Sequence, residues 1–280
     1  MSRGTSQPTR SVATGWSSLL ACFLLALSGC AARGPGAEEA KSSSPRRVEP
    51  ASLRVDVVER YPHDSTSYTQ GLLWQAPFLY ESSGGYGESR IRRTELGSVE
   101  ALELLELDSE VFGEGLALVG EELFQLTWKE GLLYVYDREP LELREERRYP
   151  GIGWGLTFDG THVVMSDGSH VLTFRDPETF KVERRLKVRR RGSVQADLNE
   201  LEFVDGSIYA NVYQTDEIVR IDAESGVVTA VIDASGLLTV AERRKAEVLN
   251  GIAYRAENET FLITGKYWPH LFEVRFVEIP

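Results

Sequence analysis

The chain has 280 residues, of which 42% are hydrophobic and 26% charged, and this composition is typical of a globular protein. Its length allows one large domain or two small ones. The formal net charge is −12 at pH 7, so the basic footprint of nucleic-acid binding is missing and we expect no nucleic-acid partner.

The first 29 residues read as a targeting segment. Arg3 and Arg10 are followed by the apolar run WSSLLACFLLALSG at 16–29, which is too short for a comfortable membrane span. The run leads into Leu-Ser-Gly-Cys at 27–30, which resembles a bacterial lipobox, where cleavage precedes a cysteine that becomes lipid-modified. We therefore assign 1–29 to a lipoprotein signal peptide and lipidation to Cys30. A plain secretory signal cleaved near AARG is the alternative.

The only cysteines are Cys22 and Cys30, so the mature domain is expected to have no disulfide and to depend on its core. Residues 30–50 are small, polar and rich in Pro, Gly and Ser, and we interpret them as a flexible tether. The expected location is the bacterial cell envelope, lipid-anchored and facing the periplasm. Ala31, in place of an aspartate linked to inner-membrane retention, favours the outer membrane. Residues 51–280 remain for the folded domain.

A repeat runs through this domain. The segments GLLW (71–74), GLAL (115–118), GLTF (155–158), ELEF (200–203) and GIAY (251–254) begin 44, 40, 45 and 51 residues apart. Each is followed by turn residues and two further segments with alternating apolar residues, which is typical of antiparallel strands. A repeat of about 45 residues with four strands indicates a propeller blade.

The repeat also predicts how the array closes. Four units add an outer strand, such as EALELLEL at 100–107, whereas the fifth ends with the chain. The segment LRVDVVERY at 53–61 can supply the missing strand, and such closure leaves no free sheet edge. We therefore predict an all-β fold, a five-bladed β-propeller with four-stranded blades, closed by the N-terminal strand pairing into the last blade. An open sandwich with chance similarity is the alternative.

Polar and aromatic residues recur at equivalent positions of the units. In a meander, the start of the first strand and the end of the second lie at the same face, so these residues are expected around one mouth of the central channel. Convergent polar groups in an aromatic cleft indicate a binding site. Before the first strands stand Gln70, Glu114, Trp154, Asn199 and Asn250, and at the ends of the second strands Ser82, Trp128, Asp167, Tyr213 and Lys266.

Each residue also has an ordinary structural explanation. Amides such as Gln70 and Asn199 commonly satisfy loop backbone groups. The tryptophans can serve as packing, Lys266 can extend to water, and Glu114 can be a surface carboxylate. The four histidines lack ligand spacing, so we predict no metal site, while calcium bound by loop carbonyls stays possible.

The motifs YTQGLLW, FGEGLAL, LFQLTWKEG, YPGIGWGLTFDG, LNELEF, LNGIAY and FLITGKYWPH resemble, in the same order, those of the plant-type glutaminyl-peptide cyclotransferases, which also occur in bacteria. The resemblance covers about 55–277. It implies a five-bladed propeller and an acyltransferase that converts an N-terminal glutamine of a peptide or protein to pyroglutamate with release of ammonia, without a required cofactor.

The resemblance also implies roles for individual residues. Glu114, Lys266, Asn199 and Gln70 would be catalytic, and the substrate-binding walls would be Phe112, Trp128, Trp154 and Tyr213. One departure is that the chain reads NVYQTD where the family reads NVWQTD, so Tyr213 replaces a tryptophan. The expected partners are peptides or proteins with an N-terminal glutamine and a membrane, reached through Cys30, and a monomer is expected.

Two other functions remain open. A lipid-anchored propeller can be a non-catalytic binding or scaffold module, because a fold does not determine function. A calcium-dependent hydrolase of the lactone type is the other, and it would lose its activity on chelation. The Glu114–Lys266 pair beside two tryptophans favours the cyclotransferase, since a scaffold needs no such pair.

Overall fold

The computed structural model describes residues 49–279. The predicted signal peptide, Cys30 and most of the predicted tether lie outside these residues. The described residues belong to one compact unit, Pro45–Pro280. Strands dominate the described chain, and the one α-helix within it is the short α1, Val240–Arg243.

Three four-stranded antiparallel sheets follow one another along the first part of the described chain. Each is a meander, in which strands adjacent in sequence pair in order. The three units are β2 (Thr69–Gln75), β3 (Phe78–Ser83), β4 (Arg90–Glu95) and β5 (Ala101–Glu106), then β6 (Gly113–Val119), β7 (Glu122–Thr127), β8 (Leu132–Asp137) and β9 (Glu142–Arg148), then β10 (Leu156–Phe158), β11 (Val163–Met165), β12 (Val171–Arg175) and β13 (Val182–Lys187).

A small hairpin, β14 (Arg189–Arg190) and β15 (Ser193–Val194), precedes an eight-stranded sheet. This sheet consists of two four-stranded parts, which are joined by a parallel pairing between residues 51–54 and 230–233. The first part is β16 (Leu198–Val204), β17 (Ser207–Val212), β18 (Glu217–Asp222) and β19 (Val228–Asp233), and the second is β20 (Leu249–Arg255), β21 (Thr260–Gly265), β22 (His270–Glu278) and β1 (Ala51–Pro62).

The N-terminal strand completes the last unit. β1 pairs antiparallel with β22, from Leu53 opposite Glu278 to Pro62 opposite His270. The predicted all-β fold of four-stranded units and the predicted pairing of the two chain ends are confirmed. The number of propeller blades stays a prediction.

Local sequence explains the meanders. The turn between β16 and β17 contains Asp205 and Gly206, both with positive φ (46° and 77°), and Asp-Gly is the pair that tight hairpin turns favour. Burial falls outward from the first strand of a unit, since β6 is largely buried and β9 is largely exposed. The first strands therefore form the interior, and the fourth strands face solvent.

Contacts between units follow a cycle. The first strands touch in the order β2, β6, β10, β16 and β20, and β20 touches β2 again. In residues 49–279, five apolar clusters lie between neighbouring units, and one of them joins Leu72 and Leu79 to Ala253 and Leu262. Fully burying a side chain of this size contributes about 1.5–3 kcal/mol, so the clusters supply the stability that disulfides do not.

Glycines permit the first strands to approach closely. A Cβ on Gly115 would lie 2.5 Å from the backbone nitrogen of Leu156, and one on Gly155 would overlap the Asn199 carbonyl oxygen. Any larger residue at these positions would push the neighbouring units apart. The close approach also brings the polar residue beside each glycine toward the centre.

Candidate active site

Four of the predicted site positions lie at β-bulges. The ladders between first and second strands shift register across Gln70, Glu114, Asn199 and Asn250. A bulge turns a side chain away from the regular alternation of the strand. These residues were expected before the strands; they lie inside them, and the bulges change the direction of their side chains.

The structure brings the predicted site residues together around one cavity of about 160 Å³. A cavity of about 150 Å³ holds a benzene molecule, so this one fits a single side chain. All eight residues predicted as catalytic or substrate-binding line it, together with Tyr68, which the sequence analysis missed. The lining residues are Tyr68, Gln70, Phe112, Glu114, Trp128, Trp154, Asn199, Tyr213 and Lys266.

Three other residues expected at the mouth do not line the cavity. Ser82 is buried and donates a hydrogen bond to the backbone oxygen of Glu114. Asp167 is exposed and accepts from the backbone of Ser169. Asn250 is buried behind Gln70. Position in the repeat therefore predicted the region of these side chains but not their direction.

Glu114 is a buried carboxylate with one oxygen unused. Only 3% of its surface is exposed. Its Oε1 accepts a hydrogen bond from Gln70 Nε2 at 3.1 Å, whereas its Oε2 is buried without a hydrogen-bond partner. Burial raises the pKa of Glu114 well above its ordinary value, and Lys266 offsets this only in part. A carboxyl group with a raised pKa and a free oxygen is a better proton acceptor than an ordinary glutamate and can return the proton afterwards.

Lys266 supplies a buried positive charge to the same cavity. It is 3% exposed, and it therefore does not extend to water as the structural alternative required. Its Nζ lies over the rings of Tyr68 and Tyr213, 4.3 and 5.4 Å from their centroids. Within residues 49–279, no ion pair or hydrogen bond engages its ammonium group. Burial lowers the pKa of Lys266 to about 8, although Glu114 and Glu247 oppose the change.

Two aromatic pairs form the walls of the cavity. The rings of Phe112 and Trp128 lie 5.5 Å apart, and those of Trp154 and Tyr213 meet edge to face at 5.3 Å. The Trp154 ring packs on Gly168, where φ is +80° and a Cβ would lie 2.8 Å from the ring. All four rings are half-buried. They thus enclose a flat space above the buried polar groups.

The amide side chains complete the polar floor. Asn199 is 3% exposed, its Oδ1 is buried without a partner, and its side chain makes no hydrogen bond within the described residues. Gln70 is 4% exposed and bridges Asn250 and Glu114. The unpaired oxygens of Asn199 and Glu114 are acceptors that a bound N–H group can satisfy.

Residues 49–279 contain neither a metal-binding cluster nor a membrane-spanning helix. No group of three His, Cys, Asp or Glu side chains there is arranged to hold a metal ion. No helix there is long and apolar enough to cross a membrane.

The site and fold together define a class of protein: an all-β protein of four-stranded meander units with a small aromatic cavity that holds a buried acid and a buried cation. Comparison with known proteins gives the family. The family model described as glutamine cyclotransferase matches residues 25–276, and the chain belongs to this family.

Two similar proteins agree with this assignment. A glutaminyl-peptide cyclotransferase of Arabidopsis thaliana is 39% identical over 228 residues, which cover 79% of this chain and 71% of that protein. The crystal structure of Myxococcus xanthus glutaminyl cyclase has 38% sequence identity and a TM-score of 0.76, and the match covers 83% of this chain and all of that one.

Proposed function

We propose that the protein is a glutaminyl-peptide cyclotransferase, an acyltransferase that converts the N-terminal glutamine of peptides or proteins to pyroglutamate and ammonia. One observation carries the proposal: the unpartnered Glu114 Oε2 and the unpaired Lys266 ammonium belong to one aromatic cavity of side-chain size. The names of the two similar proteins support the same reaction.

The first step is removal of a proton from the substrate's α-ammonium group. This group has an ordinary pKa of about 7.7–8.0, whereas an ordinary glutamate at about 4.3 is a weak acceptor. The raised pKa of Glu114 narrows this gap. We propose that Glu114 takes the proton and that the freed amine attacks the γ-carbonyl carbon of the same glutamine. Because both groups belong to one residue, holding the right rotamer supplies the proximity.

The second step is collapse of the tetrahedral intermediate. Its oxyanion needs donors, and Lys266 is the candidate because its ammonium group has no other hydrogen-bond partner within the described residues. One such donor is typically worth about 2.7–4 kcal/mol. Asn199 is the candidate second donor, and Gln70 acts on Glu114. Glu114 then returns its proton to the leaving nitrogen, and the carbon–nitrogen bond to that nitrogen breaks. The surplus proton on the attacking nitrogen passes to the released ammonia, so that ammonium departs and the neutral lactam remains.

The aromatic walls have two tasks in this mechanism. Phe112, Trp128, Trp154 and Tyr213 would hold the methylene groups of the glutamine side chain in a folded rotamer. They would also exclude water, which otherwise hydrolyses the amide. The cavity holds one side chain and opens at the rim, so the peptide tail remains outside.

We also propose the finer architecture, a five-bladed β-propeller with the site at one mouth of its channel. The cyclic order of contacts among the first strands supports it, as does the apolar cluster that joins the first unit to the last. Each unit would be one blade, and β1 would be the outer strand of the fifth.

The remaining expectations concern cofactor, state and location. We propose that the reaction needs no cofactor, because Glu114 and Lys266 supply the acid–base and electrostatic roles; calcium, if bound, would be structural. We further propose a monomer that is lipid-anchored through Cys30 after removal of 1–29, tethered by 30–50, and located in the bacterial envelope on the periplasmic side, at the outer membrane. Globomycin-sensitive processing and labelling by a fatty-acid probe that is lost in Cys30→Ala would test the anchor.

The function is tested by incubating the purified protein with a peptide that begins with glutamine and with the same peptide beginning with glutamate. Ammonia release and the matching loss of mass are followed, with and without EDTA, and with Glu114→Gln as the inactive control. We expect ammonia from the glutamine peptide only, with no effect of EDTA. No turnover across a panel of glutamine peptides would favour the binding-module alternative, and loss of activity in EDTA would favour the calcium-dependent one.

A further inference from the structure

Asn250 is a buried residue behind the cavity. Its side-chain NH2 group makes hydrogen bonds, whereas its side-chain oxygen makes none. The residue is fully buried at the bulge of β20. Its Nδ2 donates to the backbone oxygen of Thr69 at 2.9 Å and to Gln70 Oε1 at 3.2 Å. Its Oδ1 has no hydrogen-bond partner. The side chain is therefore used as a donor toward Gln70 and Thr69.

This donor decides which way the Gln70 amide faces. With its oxygen held by Asn250, the amide turns its NH2 group to Glu114, and Nε2 lies 3.1 Å from Glu114 Oε1. A reversed amide would set the Gln70 NH2 group against Asn250 Nδ2, donor against donor, and would offer an oxygen to Glu114. An amide has one donor face and one acceptor face, so only one orientation satisfies both neighbours.

The orientation matters for Glu114 because a donor stabilises a carboxylate, whereas an acceptor stabilises the protonated acid. We propose that Asn250 is a positioning residue that fixes the Gln70 amide with its NH2 group toward Glu114, and thereby keeps Glu114 available as a carboxylate with Oε2 left for the substrate. This inference rests on the proposed role of Glu114 as proton acceptor. Asn250 itself does not line the cavity, so it acts through Gln70.

Thr69, whose backbone oxygen accepts from Asn250, is itself held by a hydrogen bond from its side chain. Thr69 is fully buried, and its Oγ1 donates to Glu81 Oε1 at 2.6 Å. Glu81 lies between His63 and Arg92, with His63 Nε2 at 3.1 Å from Oε1 and Arg92 Nε at 2.8 Å from Oε2. The residue that accepts from Asn250 is therefore held in place by a network of buried side chains.

The pH dependence of Glu114 has a defined set of neighbours. Titratable groups from five parts of the fold interact electrostatically with Glu114. A substitution at position 250 changes none of these groups. They are Lys266 after β21, Glu130 after β7, Tyr68 before β2, Tyr86 after β3 and Tyr149 after β9.

The test is Asn250→Asp, which keeps the shape but replaces the donor by an acceptor. Gln70 should then turn its NH2 group to position 250 and its oxygen to Glu114. We expect the acid limb of the kcat–pH profile to move up by about one unit, the scale of one charge-assisted hydrogen bond. At any pH on the acid limb, kcat should then fall about tenfold, while KM changes less than about threefold. A purely structural loss would lower the active fraction without moving the limb.

Asn211→Asp is the matched control. Asn211 is also fully buried; its Oδ1 accepts from the backbone of Gly251 at 3.0 Å, and its Nδ2 has no partner. The substitution therefore adds a buried acid nearby without removing a used hydrogen bond, and we expect the acid limb to stay in place. An equal shift in Asn211→Asp and Asn250→Asp would overturn the inference, because added charge alone would explain it.

Two further measurements keep the outcome decisive. Asn250→Ala removes the donor without adding a charge, and we expect a smaller upward shift of the acid limb. This variant provides the test if Asn250→Asp does not fold. The Glu114 carboxyl can be titrated by ¹³C NMR in labelled protein, with its signal identified by its loss in Glu114→Gln. This titration does not need turnover, so an inactive wild type would overturn the proposed function alone. Identical Glu114 titrations in wild type and Asn250→Ala would overturn the role of Asn250.

Discussion

Two buried carboxylates, Glu81 and Glu114, differ in the partners that surround them. Glu81 is 1% exposed, and both of its oxygens are engaged by His63, Thr69 and Arg92. Glu114 is 3% exposed, yet it has one amide donor and a free Oε2. The two glutamates are thus buried to nearly the same degree, but the carboxylate of Glu81 has all its hydrogen-bond partners and that of Glu114 lacks a partner for one oxygen.

The difference shifts the pKa values of the two groups in opposite directions. Burial alone would raise the pKa of Glu81, but His63 and Arg92 hold it below its ordinary value. At Glu114 burial prevails, and its pKa is raised despite Lys266. A carboxylate that is fully paired stabilises the fold, whereas one left incomplete is available to a ligand. The incomplete carboxylate is the one that lines the cavity.

Glu114→Gln should give the largest effect and separate activity from stability. General acid–base catalysis contributes about 10²–10⁴-fold, so we expect kcat to fall by that factor. The raised pKa means that Glu114 favours the folded state only at low pH, and that this contribution is lost as pH rises through its folded value. Unfolding at neutral pH should therefore be unchanged or shifted to higher temperature. Retention of more than about a tenth of kcat would contradict the proton-transfer role.

Glu81→Gln should show the reverse pattern. Removing one partner from a buried charged network typically costs about 3–5 kcal/mol, so we expect a corresponding loss in the free energy of unfolding by urea titration. Because its folded pKa is depressed, Glu81 contributes stability that is present above its unfolded pKa and is lost as pH falls through the folded one. The variant should accordingly lose much of the acid sensitivity of the wild type. Wild-type stability in Glu81→Gln would remove the distinction between the two carboxylates.

Lys266→Met should lower kcat about 10²–10³-fold, the loss of one oxyanion donor, with a smaller change in KM. Steady-state kinetics with one glutamine peptide measures both. An effect confined to KM would assign Lys266 to substrate binding instead of catalysis.

Lys266→Arg tests the alkaline limb separately. The pKa of Lys266 is about 8, so the wild type should lose kcat as pH rises through that value and the ammonium group is deprotonated. An arginine stays charged throughout this range, and we expect the alkaline limb to move to higher pH. An unchanged limb would mean that another group controls it.

Tyr213→Phe should give the smallest effect. The ring keeps its edge-to-face contact with Trp154, and the hydroxyl makes no hydrogen bond within the described residues. We expect less than about a threefold change in kcat/KM. A larger loss would give the hydroxyl, which the usual tryptophan lacks, a role in substrate binding.

Much of this architecture could be predicted from local sequence. Alternating apolar residues and turn pairs such as Asp205-Gly206 specify meanders, and the surplus strand before residue 62 predicted the pairing of β1 with β22. The recurrence of polar and aromatic residues at strand starts and ends also predicted seven of the residues that line the cavity. It did not predict that Ser82, Asp167 and Asn250, at equivalent positions, would lie outside the lining. Tyr68 was missed because it lies one residue before β2, where an aromatic side chain has many ordinary explanations.

The chemical state of the site could not be predicted in this way. The local amino-acid sequence specifies strands, turns and the recurrence of polar positions, because these depend on neighbours within a few residues. The free oxygen of Glu114, the orientation of Gln70 and the support from Glu81 depend on distant contacts, as in the hydrogen bond from Asn250 to Thr69 across 181 positions of sequence. Burial and hydrogen-bond partners set the pKa of a side chain, and only the tertiary structure supplies both.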